Sequence, residues 1–306
     1  MSCYWVFLIG RILVIDKIID IHVHCGNYDD IERNTDSIIN DIIQYMLDNK
    51  IFMCILLGNS EDKYMCGNNE VVRSLCKLYP NKFAWMCNID KSDVKDIDRQ
   101  IEKYKNQGAC GIGELILNKR FDDLYYETLF ASAQKFNMPV LFHMSPCEGF
   151  SYGVIDEPGL PLLEKELNRF SELKFIGHSQ VFWHEISGNV SKIPEERNRW
   201  GKGPVLPGGR LVYLLDNYKN LYCDLSANSG GCAIMRDIKF GLEFIEKYSD
   251  RLLFGSDIWG NGKRYPLLQW MVDMKQKQLI REETFYKICY ENATRIFFAG
   301  KYIDED

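Results

Sequence analysis

The fold of this 306-residue chain is decided by one short segment, Ile18-Ile19-Asp20-Ile21-His22-Val23-His24. The segment is apolar and β-branched, as buried strands are, and it ends in a pair of histidines. Because side chains alternate across a strand, we expect the aspartate and both histidines to face the interior of a barrel. Ile19, Ile21 and Val23 would then face the surrounding helices. Two imidazoles at the carboxyl end of an inner face make half of a metal site.

Seven more apolar runs follow this segment, and amphipathic stretches separate them. The eight candidate strands are Ile18 to His24, Ile51 to Leu57, Phe83 to Asn88, Gly111 to Leu115, Val140 to His143, Lys174 to His178, Leu221 to Asp224 and Leu252 to Gly255. Apolar residues recur at helical spacing in 36–49, 94–107, 122–136 and 233–248. This alternation predicts an α/β fold, a TIM-type (β/α)₈ barrel. A doubly wound open sheet is disfavoured because no glycine-rich turn follows the first strand.

The chain reads as one domain. We expect the barrel to occupy 18–306 and the residues 1–17 to form an apolar N-terminal extension. A signal peptide is the weaker interpretation of that extension, because no basic residue precedes the apolar run and Arg11 interrupts it. One unusually long connection, 179–207, is expected to cover the active-site face, since long irregular segments in compact domains are often lids or binding loops.

Composition narrows the class of protein. Hydrophobic residues make up 46% and charged residues 26% of the chain, as in an ordinary soluble globular protein. The formal net charge of −6 gives no general attraction to nucleic acid or to a membrane surface, so we expect neither partner. The 11 cysteines include no C-x-x-C pair, which favours small buried hydrophobes in a reducing compartment, the cytoplasm.

Further polar residues stand at or just after the ends of other candidate strands. Glu114 ends the fourth strand, His143 the fifth and His178 the sixth, while Asp257 follows the eighth. Barrels of this kind place their active sites at the carboxyl ends of the strands. Four of the five histidines in the chain would therefore meet two acids at one face. An imidazole and carboxylate set suits Zn²⁺, with Mn²⁺ or Fe²⁺ as alternatives.

These residues resemble the amidohydrolase superfamily, and within it the amidohydrolase-related family. The resemblance is carried by Asp20-Ile21-His22-Val23-His24, His143, His178, Gly255-Ser256-Asp257 and Asn292-Ala293-Thr294-Arg295-Ile296-Phe297. It covers nearly the whole chain from Ile18. The segments 175–188, 203–210 and 224–237 look like an uncharacterised hydrolase branch. The resemblance therefore implies the fold and a metal site better than it implies a substrate.

The resemblance also implies roles for the strand-end residues. His22, His24, His143 and Asp257 would hold one divalent metal, and His178 would orient the attacking water or the substrate carbonyl. Glu114 departs from many single-metal members. A glutamate there bridges two metals in binuclear members, and His143 and His178 would then hold the second ion. Asp257 would accept the proton of a water whose pKa the metal lowers to about 7, and would pass it to the leaving group.

The leading functional hypothesis is hydrolysis of an amide, lactone or ester bond in a small molecule, with or without a carboxylate. A non-oxidative decarboxylase, a deoxyribonuclease or phosphoesterase, and a non-catalytic metal-binding barrel remain as alternatives. Trp183, Arg210 and Arg236 are weaker candidates for substrate contacts, because a lid aromatic can cover a substrate and a guanidinium matches a carboxylate. Asp224, Ser226 and Asn228 are candidates for holding a ligand histidine. A homodimer is left open.

Overall fold

The computed structural model describes residues 17–26, 35–59, 67–90, 92–259 and 265–300. Its strands are β1 (Ile18–Val23), β2 (Ile51–Leu57), β3 (Phe83–Cys87), β4 (Gly111–Leu115), β5 (Val140–Ser145), β6 (Val154–Ile155), β7 (Phe175–His178), β8 (Leu221–Asp224) and β9 (Leu252–Leu253). Apart from Lys17, the predicted extension 1–17 lies outside the described residues. No helix in the described ranges has the length and apolar character needed to cross a membrane.

Helices alternate with the strands around the barrel. They are α1 (Thr35–Asn49), α2 (Asn69–Leu78), α3 (Ile97–Asn106), α4 (Leu124–Lys135), α5 (Pro161–Arg169), α6 (Gln180–His184), α7 (Pro194–Arg197), α8 (Arg210–Asn217), α9 (Ala227–Met235), α10 (Ile238–Lys247), α11 (Leu267–Gln276), α12 (Glu282–Tyr286) and α13 (Asn292–Phe297). The long connection 179–207 is not wholly irregular, since it contains the short helices α6 and α7.

Eight parallel strands form the barrel in the order β1-β2-β3-β4-β5-β7-β8-β9, and the short β6 pairs with β5 off this path. The seam between β1 and β9 is closed by backbone hydrogen bonds. The amide of Ile21 donates to Phe254 O at 3.0 Å, and the amide of Asp257 donates to His22 O at 2.8 Å. The amide of His24 donates to Ile258 O at 2.8 Å. The predicted TIM-type barrel and single domain are therefore confirmed.

The faces expected for the first strand are partly wrong. Ile19 and Ile21 pack inside the barrel in one apolar cluster with Leu141, Ile176 and other strand residues. Asp20 instead accepts a hydrogen bond from the hydroxyl of Tyr45 on α1, at 3.0 Å. Strict alternation from these residues would turn both histidines toward the helices.

A β-bulge corrects the direction of the histidines. Asp20 pairs with Cys54 and Val23 pairs with Leu56, so three steps along β1 oppose two steps along β2. An extra residue in one strand switches the face on which later side chains lie. Val23 accordingly joins the outer apolar cluster between the barrel and its helices. The histidines on either side of Val23 are thereby directed inward.

The fourth strand, β4, also contains a β-bulge. Ile112 pairs with Val140 and Leu115 pairs with Phe142, which again sets three steps on β4 against two on β5. Gly113 lies inside this bulge with a φ of +153°, and a Cβ there would lie 2.8 Å from the carbonyl oxygen of Leu141. Glycine leaves room for this close approach. The irregularity directs Glu114 into the barrel mouth.

Candidate metal centre

Six side chains predicted from the sequence meet at the carboxyl ends of the barrel strands: His22, His24, Glu114, His143, His178 and Asp257. The Nε2 atoms of His22 and His24 lie 3.0 Å apart. Asp257 Oδ1 lies 3.4 Å from His22 Nε2 and 3.3 Å from His24 Nε2. These donors come from opposite ends of the chain, and the closed seam between β1 and β9 brings them together.

Glu114 lies between two halves of this cluster. Its Oε2 atom faces His22 Nε2 at 3.9 Å and His24 Nε2 at 3.7 Å. Its Oε1 atom lies 2.9 Å from His143 Nδ1 and 3.8 Å from His178 Nε2. His143 and His178 are directly paired across β5 and β7. The carboxylate can therefore reach imidazoles on both sides, as a bridging ligand would.

The donor set fits a divalent cation. Three overlapping groups of ligand atoms lie within 4.8 Å of one another: His22, His178 and Asp257; His22, His24 and Glu114; Glu114, His143 and His178. Two imidazole nitrogens 3.0 Å apart are close enough to bind one divalent ion together. The chemistry and spacing of the residues thus agree with a metal site.

Asp224 and Ser226 orient the imidazoles of His22 and His178 through contacts with their Nδ1 atoms. Asp224 is fully buried, and its Oδ2 atom lies 2.6 Å from His22 Nδ1 and 3.2 Å from His178 Nδ1. The Ser226 hydroxyl donates to the same oxygen at 2.7 Å and lies 2.9 Å from His178 Nδ1. An ionised carboxylate only accepts, so the Nδ1 atom of His22 carries a proton. The Nε2 atoms of His22 and His178 are left to face the cluster.

Burial and charge act in opposite directions in the cluster. Burial lowers the pKa of His22, but the nearby Asp257 and Asp224 carboxylates outweigh it and raise that pKa to about 10. Burial alone would raise the pKa of the Glu114 carboxyl, whereas the hydrogen bond from His143 and the imidazole charges hold it well below its usual range. Before a cation binds, the centre therefore holds protons between its donors.

Asp257 differs from the other donors in its contact with solvent. Its side chain is 26% exposed, against 14% for His24 and 10% for Glu114. His22 and His178 are almost completely buried. A group that takes a proton from a water and passes it on has to reach the reacting space. Asp257 is the carboxylate of the cluster best placed for that task.

The three weaker substrate candidates make no hydrogen bond or ion pair with the six-residue cluster. Trp183 is buried, and its Nε1 donates to Asp224 O at 2.9 Å, so it supports β8 rather than forming a lid. Arg210, at the start of α8, pairs with Glu164. Arg236 directly follows α9 and donates to Lys202 O at 3.3 Å.

Tyr152 also contacts the cluster, although it is not among the residues predicted from the sequence. The Tyr152 ring lies against the His143 ring, with centroids 4.4 Å apart and planes at 46°. The residue belongs to the connection between β5 and β6, where no apolar periodicity or polar motif distinguishes it. Tyr152 comes close to the centre because the chain folds back after β5, so that β6 pairs with the end of β5.

A sequence model described as amidohydrolase matches residues 65–299. The matched region contains Glu114, His143, His178 and Asp257, and it begins after the two histidines of β1. A comparison with curated proteins finds no match.

Solved structures with the same barrel share little sequence with the chain. An uncharacterised TIM-barrel protein from Bordetella bronchiseptica has 16% identity and a TM-score of 0.59 over 93% of this chain and 99% of its own. A probable 2-pyrone-4,6-dicarboxylic acid hydrolase from Acinetobacter baumannii, with citric acid bound, has 14% identity and a TM-score of 0.56, covering 92% and 99%.

A third similar structure is a 5-carboxyvanillate decarboxylase from Novosphingobium aromaticivorans, in complex with manganese and a nitrobenzoic acid. It has 15% identity and a TM-score of 0.55, covering 92% of this chain and 96% of its own. At this identity the three likenesses show the barrel fold. The family match covers most of the barrel, and it confirms the resemblance seen in the sequence: the chain belongs to the amidohydrolase family and is an enzyme of that family.

Proposed function

We propose that this protein is a metal-dependent hydrolase that cleaves an amide, lactone or ester bond in a small molecule. The observation that carries the proposal is the meeting of four imidazoles and two carboxylates at the carboxyl ends of the strands, in three overlapping groups of three whose ligand atoms lie within 4.8 Å of one another. The imidazole and carboxylate donors favour zinc, while the manganese in the similar decarboxylase supports Mn²⁺ as the alternative.

The residues divide the work according to their contacts. A bound divalent cation would lower the pKa of a water and polarise the oxygen of the scissile group. His22, His24 and Asp257 supply one group of donors, and Asp224 fixes the tautomer of His22 through a 2.6 Å hydrogen bond. The partly exposed Asp257 carboxylate accepts the proton from the water and returns it to the leaving group.

The position of Glu114 supports a second metal site that binds its cation more weakly than the first. Its two oxygens face different pairs of histidines, so Glu114 would join a site at His22 and His24 to a site at His143 and His178. We expect metal analysis of protein loaded with zinc to give between one and two ions per chain. Glu114→Gln should reduce this to one ion or fewer.

Hydrolysis is tested with purified protein that has been stripped of metal and reloaded with Zn²⁺ or Mn²⁺. A panel of small lactones, aryl esters and N-acyl compounds should include substrates that only the reloaded protein cleaves. Asp257→Asn should lower kcat at least ~100-fold, because the proton acceptor is lost. Asp250→Asn, at an exposed carboxylate paired with Lys287, is the matched control and should retain activity. A protein that binds no stoichiometric divalent metal, or that hydrolyses nothing when loaded, would contradict the proposal.

A non-oxidative decarboxylase is the second candidate, because similar folds include a carboxyvanillate decarboxylase. Loss of carbon dioxide requires stabilisation of the carbanion more than a nucleophilic water. Release of carbon dioxide from aromatic or enoic acids by the loaded protein, without hydrolysis of the panel, would decide for it. A phosphoesterase is less well supported, since the formal net charge of −6 gives no general attraction to nucleic acid.

The partner and the compartment are part of the same proposal. We infer a small-molecule substrate and a cytoplasmic location, supported by the net charge of −6 and by cysteines that are buried as small apolar side chains, among them Cys54, Cys87 and Cys223. Disulfides are rare in the reducing cytosol, and buried thiols suit it. A homodimer stays a prediction that sedimentation of the purified protein can test.

A further inference from the structure

Tyr152 covers one side of the metal centre. His143 faces the barrel interior at the carboxyl end of β5, and the Tyr152 ring lies against it with a centroid distance of 4.4 Å. His143 is only 7% exposed, whereas Tyr152 is 43% exposed. One part of the tyrosine side chain therefore contacts a candidate metal ligand, and another part is exposed.

The backbone holds Tyr152 firmly in this position. The next residue, Gly153, has a φ of +114°, and a Cβ there would lie 2.8 Å from His143 O. The amide of Gly153 donates to Ile116 O at 2.7 Å, and the side-chain amide of Asn118 donates to Gly153 O at 3.0 Å. Immediately afterwards β6 pairs with the end of β5. The ring is thus anchored between the ends of β4 and β5.

Within the described residues, the charged groups that contact the centre are carboxylates and imidazoles. Within the described ranges, the ion-pair partners of the clustered carboxylates Glu114 and Asp257 are histidines, and no lysine or arginine pairs with either. Arg210 and Arg236 are engaged elsewhere, with Glu164 and with Lys202 O. An aromatic ring beside a reacting centre gives apolar contact and prefers offset or edge-to-face packing with another ring.

We propose that Tyr152 is a specificity-determining residue that forms an aromatic wall of the substrate pocket. It selects substrates that carry a planar unsaturated ring next to the group that reacts. The inference rests on the proposed function, because it assumes that the reacting group is held at the metal centre. It adds the class of substrate, a ring-bearing acyl or carboxyl compound, and the side chain that recognises it.

The test measures binding, so it does not depend on knowing the substrate. Protein reloaded with Zn²⁺ is titrated by calorimetry with benzohydroxamic acid and with acetohydroxamic acid. The two probes share the metal-binding hydroxamate and differ in the ring. Wild-type protein should bind the benzo compound more tightly. Tyr152→Ala should weaken binding of benzohydroxamate roughly three- to tenfold, as expected for loss of one aromatic pair. Binding of acetohydroxamate should change less than twofold.

Two further variants separate ring recognition from structural damage. Tyr152→Phe keeps the ring and should keep the preference for benzohydroxamate. Phe150→Ala removes a partly exposed aromatic from the same connection and should leave both affinities unchanged. Metal content is measured for every variant, and Tyr152→Leu replaces the alanine variant if the latter does not fold.

Several results would overturn the assignment of Tyr152. They are an equal loss of affinity for both probes, no loss for either, an equal effect of Phe150→Ala, and no binding of either probe to the loaded protein. Absence of hydrolysis is a different result. A protein that shows the ring preference but cleaves no member of the panel would contradict the proposed reaction and leave the aromatic wall in place.

Discussion

Asp224 acts on the centre without belonging to it. Burial would raise the pKa of its carboxyl, but the charge of His22 and hydrogen bonds from His178 and His22 hold that pKa well below its usual range. The carboxylate thus stays ionised and keeps its hold on two imidazoles. The sequence suggested this role only weakly, because an aspartate at a strand end has many other uses.

Replacing Asp224 should weaken metal binding without unfolding the barrel. We expect Asp224→Asn to lower the affinity for Zn²⁺ about 10- to 100-fold, because an amide cannot accept from both imidazoles as a carboxylate does. Competition with a chromophoric chelator measures the change. Asp216→Asn is the control, since that carboxylate accepts from Tyr248 and Lys247 far from the centre. Equal affinities of both variants would contradict the orienting role.

Metal binding should strengthen as the pH rises. The pKa of His22 in the metal-free protein is raised to about 10, so its imidazole holds two protons at neutral pH. A cation must displace the proton on Nε2, and metal binding releases protons for this reason. We expect the apparent dissociation constant for Zn²⁺ to fall with each step from pH 6 to pH 9. An affinity independent of pH over this range would show that His22 is not a ligand.

At the scale of elements, the sequence predicted the strands better than their faces. The bounds of β2, β4 and β8 agree with the prediction, and His143 and His178 follow plain alternation on β5 and β7. His22 and Glu114 do not, since each lies in a bulge. A bulge depends on how two strands pair, and a single strand sequence does not encode its partner's register. Helical spacing across 233–248 likewise concealed the break between α9 and α10.

The bulge in β4 requires glycine at position 113, and a substitution can test this requirement. Gly113→Ala should destabilise the protein by about 2–4 kcal/mol, because a Cβ would meet Leu141 O at 2.8 Å in a left-handed backbone region. Gly149→Ala is the matched control: Gly149 also has a positive φ, but its Cβ would meet nothing within 4 Å. The control should cost about 1–2 kcal/mol from the backbone alone. Chemical denaturation measures both, and equal losses would refute the packing argument.

At the scale of the whole molecule, a buried ionic contact joins the segments above the barrel. Arg197 of α7 is 1% exposed, and its Nη1 donates to Pro146 O at 3.2 Å and to Asp156 O at 3.1 Å. Its Nη2 lies 3.6 Å from the buried carboxylate of Glu185. One guanidinium therefore ties the connections after β5, β6 and β7 together. The sequence predicted that 179–207 covers the active-site face but did not indicate that Arg197 links this connection to its neighbours.

Removing the guanidinium of Arg197 should lower the free energy of unfolding of the protein. We expect Arg197→Met to lower the free energy of unfolding by about 3 kcal/mol, since Glu185 would be left buried without its counter-charge. Arg199→Met, two residues away and exposed, should change it by less than about 0.5 kcal/mol. The midpoints of urea denaturation give the comparison. Similar midpoints for the two variants would show that the contact contributes little.

The seam between β1 and β9 carries a consequence for the dynamics of the barrel. His22 and His24 lie on one side of this seam and Asp257 lies on the other. An ion bound by all three residues would therefore cross-link the two edges of the barrel. Zinc at 100 times its dissociation constant would add about 2.7 kcal/mol against opening. Hydrogen–deuterium exchange of the His24 and Asp257 amides should then slow more on loading than exchange between β5 and β7. The cation would then stabilise the closed barrel in addition to its role in catalysis.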